Sequence, residues 1–162
     1  VSSNQQLINA FTSDFGSSFI ISFLLLGSMW AVHARQFDSI KFADRRLMMI
    51  NNFRLLAVVL IPFTTSLSGT FPELTLATMF FPLNFMALTF LSSWEWSYAT
   101  SNSKLYDKNE LSGKTINFLK AKNIIFALSS VIVTVLSFFI GSWAFILFLP
   151  VSYIWMKLAK RI

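Results

Sequence analysis

Four stretches of this sequence hold no charged side chain and are long enough to leave water altogether. Residues 15–32, 55–72, 74–94 and 123–156 contain no Asp, Glu, Lys, Arg or His and are rich in Phe, Leu, Ile, Val and Met. In lipid every backbone N–H and C=O must find its partner inside the protein, so a spanning segment is a helix or a strand of a closed barrel. Barrel strands alternate apolar and polar residues, and these runs do not. A helix crosses the hydrocarbon core with about 20 apolar residues. The last stretch has 34 residues, which at about 1.5 Å per residue is too long for one crossing. It divides naturally at Gly141–Ser142. The expected fold is therefore all-α: one integral membrane bundle over 1–162, with five transmembrane helices at about 15–36, 47–68, 73–99, 116–140 and 142–160.

Composition agrees. Only 12% of the residues are charged and 55% are hydrophobic, whereas a soluble domain is about 25% charged. The chain has no cysteine, which excludes disulfides, thiolate catalysis and thiolate metal sites.

Charge then orients the bundle. Residues 1–34 hold no Lys or Arg, and neither do the short links between the second and third or fourth and fifth helices. All 13 basic residues fall in the first loop and its flanks (Arg35, Lys41, Arg45, Arg46, Arg54), the third (Lys104, Lys108, Lys114, Lys120, Lys122) and the tail (Lys157, Lys160, Arg161). They share one side, which the positive-inside rule makes cytoplasmic. The net charge of +6 is thereby explained without nucleic acid. The expected place is the cell membrane, multi-pass, with the C-terminus inside and residue 1 outside. Trp94, Trp96, Tyr98, Tyr153 and Trp155 fall near the inner ends and Trp143 near an outer turn, where aromatic rings sit at headgroup level. An outer N-terminus without a basic-headed signal segment leads to the expectation of a further helix upstream, six in the full subunit.

Motifs for catalysis are absent: no phosphate loop, no H-E-x-x-H, no dinucleotide fingerprint and no nucleophile elbow. One histidine cannot build a His-rich metal site, and the carboxylates lie mainly in loops or at helix ends. The expectation is no enzyme, no metal and no cofactor. The remaining polar groups are Trp30, His33 and Asn51 near the inner ends of the first two helices, Asn84 and Glu95 on the third. Trp30 and His33 share a helix face. Such groups bond across helices as structural glue; the alternative for Trp30, His33 and Asn51 is an interhelical network that gates, since histidine changes charge near neutral pH. Glu95 is expected as a solvated helix end. Pro62 and Pro82 shape their helices, with Thr64, Thr65 and Ser66 able to re-satisfy freed carbonyls. Gly27, Ser28 and Ala31, and Ala127 and Ser130, are candidate points of close helix contact.

The run Ser22–His33, S-F-L-L-L-G-S-M-W-A-V-H, resembles the second helix of the transmembrane protein 175 family of potassium channels. Arg46-Leu47, Asn51, Leu55 and Pro62-Phe63-Thr64 follow in the order of that family's next loop and helix. Leu83-Asn84 with the Trp96–Tyr98 end, and the Ser142-Trp143 hairpin, are similar to its last three helices. The resemblance implies a six-helix subunit, a homotetramer in bacteria, and a leak-type, potassium-selective pore. In that family the first helix lines the pore and bulky apolar side chains narrow it. It opens with Arg and F-S-D, linked by polar contacts to the Trp and His that Trp30 and His33 match. Phe11-Thr12-Ser13-Asp14-Phe15-Gly16 is not that motif: no Arg precedes it, and the helix after it carries W-x-x-H. The pore-lining helix is therefore expected upstream of Val1, with no ion-selectivity residue in this chain and potassium as permeant. Arg54 departs from the pattern. The resemblance implies a potassium channel subunit in the lipid bilayer; a non-conducting scaffold or partner subunit and a small secondary transporter are the alternatives.

Overall fold

The computed structural model describes residues 14–101, 105–106, 112–141 and 144. Four α-helices make up this part: α1 (Asp14–Phe37), α2 (Arg45–Thr70), α3 (Thr75–Ser101) and α4 (Gly113–Ile140). Neighbours in sequence are neighbours in space: α1 packs on α2, α2 on α3 and α3 on α4. Three of the four, α2, α3 and α4, are long and apolar enough to cross a membrane. The protein is thus an all-helical membrane protein with three candidate spans among the described residues. The count of five is not reached there, and the expected helix at 142–160 lies, except for Ala144, outside them.

Local chemistry sets the helix ends. Asp44 caps α2 by accepting the Leu47 N–H at 2.8 Å, and Ser112 caps α4 by accepting the Thr115 N–H at 3.2 Å; both satisfy donors that the first helical turn leaves open. After α2 the chain turns at Phe71–Leu74 and enters α3 directly, so the two helices run antiparallel. Past α4, Gly141 takes φ +61°, a conformation that costs glycine little and other residues more.

At the opposite end the two longer loops meet. Ile40 and Tyr106 form an isolated bridge, and the Lys41 N–H donates to the Leu105 carbonyl at 2.9 Å. Beneath it Leu47, Ala99 and Leu105 make a small core. This arrangement gathers Arg35, Lys41, Arg45, Arg46 and Lys114 at one end of the bundle.

The main core is midway along the helices: Ala57 and Ile61 of α2, Phe85 and Leu88 of α3, Val133 of α4, and Ala144. Because lipid tails are as apolar as leucine, helices associate through close packing and interhelical hydrogen bonds. The α3–α4 seam shows both. Ser129, Ser130, Thr134 and Ser137 are buried along one side of α4, with Ala127. The hydroxyls of Thr89 and Ser130 are 2.7 Å apart, and Thr134 donates to the Pro82 carbonyl at 3.2 Å. Ala127 and Ser130 are therefore close-contact points. Gly27 and Ala31 are not: both are exposed, and a Cβ on Gly27 would meet nothing within 4 Å.

The hydroxyls near Pro62 act differently from expectation. Thr64 donates to the Leu60 and Ile61 carbonyls and Thr65 to Ile61, not to Val58, the carbonyl whose usual donor Pro62 lacks. The cross-helix donor is Asn84, whose Nδ2 reaches the Ala57 carbonyl at 3.0 Å.

Candidate functional site

Near the basic end, three helices bring ionisable side chains to one point. Glu95 comes from α3, nearly two turns before its end. Arg54 comes from the third turn of α2. His33 comes from the last turns of α1. Glu95 Oε2 is 3.5 Å from Arg54 Nε and 3.5 Å from His33 Nδ1. Arg54 Nε also donates to Ser92 Oγ at 3.0 Å, one turn before Glu95 on the same helix. Exposures are 2% for Arg54, 3% for Glu95 and 8% for His33.

Glu95 is thus no solvated helix end. It is buried, and its partner is Arg54, the arginine just before the charge-free run of α2. Taking a carboxylate and a guanidinium out of water is costly, so neither would be stable here alone. Together, with Ser92 as a further acceptor, they fix the register of α2 against α3. Two polar atoms of the cluster, Glu95 Oε1 and Arg54 Nη1, are buried without a hydrogen-bond partner among the described residues.

The other sequence-derived candidates are placed around this cluster. The Trp30 and His33 rings are 5.7 Å apart at a tilt of 52°, on one face as the spacing requires. Trp30 itself is 59% exposed. His33 packs more closely on Phe37, with ring centroids 4.3 Å apart. Asn51 is half-buried, and its Oδ1 lacks a hydrogen-bond partner among the described residues. The structure brings Trp30 and His33 together and joins His33 to Glu95 and Arg54. Trp96, expected in an interfacial belt, is 2% exposed and packs with Ile116; Trp94, at 57%, does face outward.

Beside the cluster is a partly open cavity of about 240 Å³. Met29, Val32 and Phe126 supply apolar wall; His33, Arg54, Thr89, Ser92, Lys122 and Asn123 supply polar groups. Gln36 closes one side, donating to Asn123 Oδ1 at 3.3 Å. No group of three or more His, Asp or Glu side chains suited to a metal ion occurs among the described residues.

Sequence reasoning missed Glu95 and Arg54 as a pair, yet a signal was present. Arg54 immediately precedes one charge-free stretch and Glu95 immediately follows the next. A tight hairpin at 71–74 lays those stretches side by side, so opposite charges at their far ends fall at similar height.

A helical membrane protein with its few ionisable groups paired inside the bundle is the class that fold and site define. Residues 2–62 match the family described as "Endosomal/lysosomal potassium channel TMEM175". A protein of Rattus norvegicus named endosomal/lysosomal proton channel TMEM175 is 30% identical over 70 residues, 43% of this chain and 14% of that one. A protein of Streptomyces collinus named as a potassium channel is 28% identical over 97 residues, 56% of this chain and 46% of that one. No solved structure matches the chain significantly. The matched stretch, which includes Trp30, His33, Asn51 and Arg54, is similar to the TMEM175 family. The chain spans less than half the length of either relative.

Proposed function

We propose that the chain is part of a potassium-selective, leak-type channel subunit that conducts passively and assembles as a homotetramer. Helices α1–α4 are the frame behind the pore, and a separate first helix lines it. The observation that carries this reading is the overlap of the family match with the buried cluster: residues 2–62 include both His33 and Arg54. The channel names of both relatives support it further. Physically, the His33–Glu95–Arg54 cluster ties three helices at one height, giving the rigid frame that a narrow apolar constriction needs. Passage there is set by constriction size and dewetting. In this reading His33 and Trp30 transmit the position of the pore-lining helix to the frame, and Asn51, one turn before Arg54, belongs to the same polar network.

The test is reconstitution of the full-length protein in a planar bilayer under opposed potassium and sodium gradients. The expected reversal potential lies near the potassium equilibrium value. Reversal at zero removes selectivity, and no current at all replaces the channel with a scaffold.

A further inference from the structure

The cavity beside the cluster has a chemistry that a structural frame does not require. Its N–H donors are the cations Arg54 and Lys122 and the Asn123 amide, beside Gln36, His33 and the hydroxyls of Ser92 and Thr89, which donate to their own helix. Arg54 Nη1 and Asn123 Nδ2 are both buried without a hydrogen-bond partner among the described residues, and Arg54 is 2% exposed. Buried donors without acceptors are rare and costly away from water. Glu95 offsets one positive charge through Arg54; Lys122 adds another. The remaining wall is apolar, formed by Met29, Val32 and Phe126. Cationic donors beside an open apolar wall suit an anionic head carried on a hydrocarbon tail.

Depth in the membrane makes the same point. In α4 the charge-free run starts at Asn123 and ends with the helix at Ile140. Those residues cover about 27 Å at about 1.5 Å per residue, close to the hydrocarbon thickness of about 30 Å. Lys122 and Asn123 therefore fall at the hydrocarbon edge on the basic side. Arg54 and Glu95, which bound the charge-free stretches of α2 and α3, fall at the same level. This is the level of a phospholipid's phosphate and ester groups, on the leaflet facing the basic loops.

We propose that this cavity binds the phosphate headgroup of an anionic phospholipid, with Arg54, Lys122 and Asn123 as its donors and its acyl chains along Met29, Val32 and Phe126. The site is independent of whether the protein conducts.

The test uses the full chain in phosphatidylcholine nanodiscs, with bound lipid measured by native mass spectrometry after titration with phosphatidylglycerol. Retention of phosphatidylglycerol over phosphatidylcholine is expected, and Lys122→Gln should weaken it about tenfold, as fits the loss of one charge-assisted contact. Lys122 is half-buried and belongs to no described ion pair, so this variant keeps the fold; an unchanged thermal midpoint confirms that. Asn123→Ala should weaken retention as well. Equal retention of the two lipids, or equal retention by wild type and Lys122→Gln, overturns the proposal. A further arm adds inorganic phosphate: displacement of the lipid by millimolar phosphate shows a soluble-anion site and also overturns it.

Discussion

Arg54 and Glu95, on adjacent helices and 41 residues apart in the chain, meet with Nε 3.5 Å from Oε2 while both are almost fully buried.

The pair should behave as a unit. Replacing either partner alone, Arg54→Met or Glu95→Leu, leaves an uncompensated buried charge and should cost about 3–5 kcal/mol of stability. Replacing both together should recover most of that loss, since a well-packed apolar pair often equals a buried ion pair. Thermal unfolding in detergent across the three variants measures it. Additive losses in the double variant would show that the two charges act separately.

His33 and Trp30 should separate in their effects on the described helices. His33 is 8% exposed and touches Glu95 and Phe37; Trp30 is 59% exposed. His33→Ala should lower the unfolding midpoint of the protein clearly, and Trp30→Ala much less. If Trp30→Ala is the more damaging, its exposed ring is covered by a further chain segment or by another subunit. Cross-linking of the variant would then identify which.

The α3–α4 seam should tolerate no added volume. Ser130 is 0% exposed, and Ser130→Leu should cost about 1–3 kcal/mol or more through overpacking. Gly27→Ala, with nothing within 4 Å of the added Cβ, should not destabilise the chain. A double-mutant cycle of Thr89→Val and Ser130→Ala should return a coupling of about 0.6–1.7 kcal/mol, the range for hydrogen bonds between membrane helices. No measurable coupling would mean that the hydroxyls are satisfied within their own helices, where Thr89 also reaches Met86 and Ser130 reaches Ala127.

The cap of α2 should carry an acid sensitivity. Asp44 Oδ2 accepts the Tyr98 hydroxyl at 2.6 Å and Oδ1 accepts the Leu47 N–H at 2.8 Å. The Tyr98 hydrogen bond first, and the Leu47 N–H second, hold the Asp44 carboxyl below the usual carboxylate range. A pKa that is lower folded than unfolded stabilises the folded state above the unfolded value, and that contribution is lost as pH falls toward the folded one. Melting midpoints should therefore drop below about pH 4, and Tyr98→Phe should flatten the drop. A pH profile identical in the variant would remove Tyr98 from the effect.

The sequence by itself indicated the four described helices, because a charge-free apolar run of spanning length has one stable backbone in lipid. It also led to the expectation that the basic loops share one side; among the described residues Arg35, Lys41, Arg45, Arg46 and Lys114 lie at one end of the helices. The helix caps at Asp44 and Ser112 and the stop at Gly141 are local features, and local chemistry is what a sequence displays directly. The cross-helix facts depended on rotation and height, which a sequence does not display. Helical phase alone could not tell that Ser130 faces α3 while Gly27 faces away from the other helices. Nor could it tell that Trp96 is buried while Trp94, two residues before it, is exposed. Above all, Glu95 at the end of an apolar run has the same sequence signature whether it enters water or turns inward. Only the packing of α1 on α2 and of α2 on α3 decided that, by bringing Arg54 and His33 to the Glu95 carboxylate.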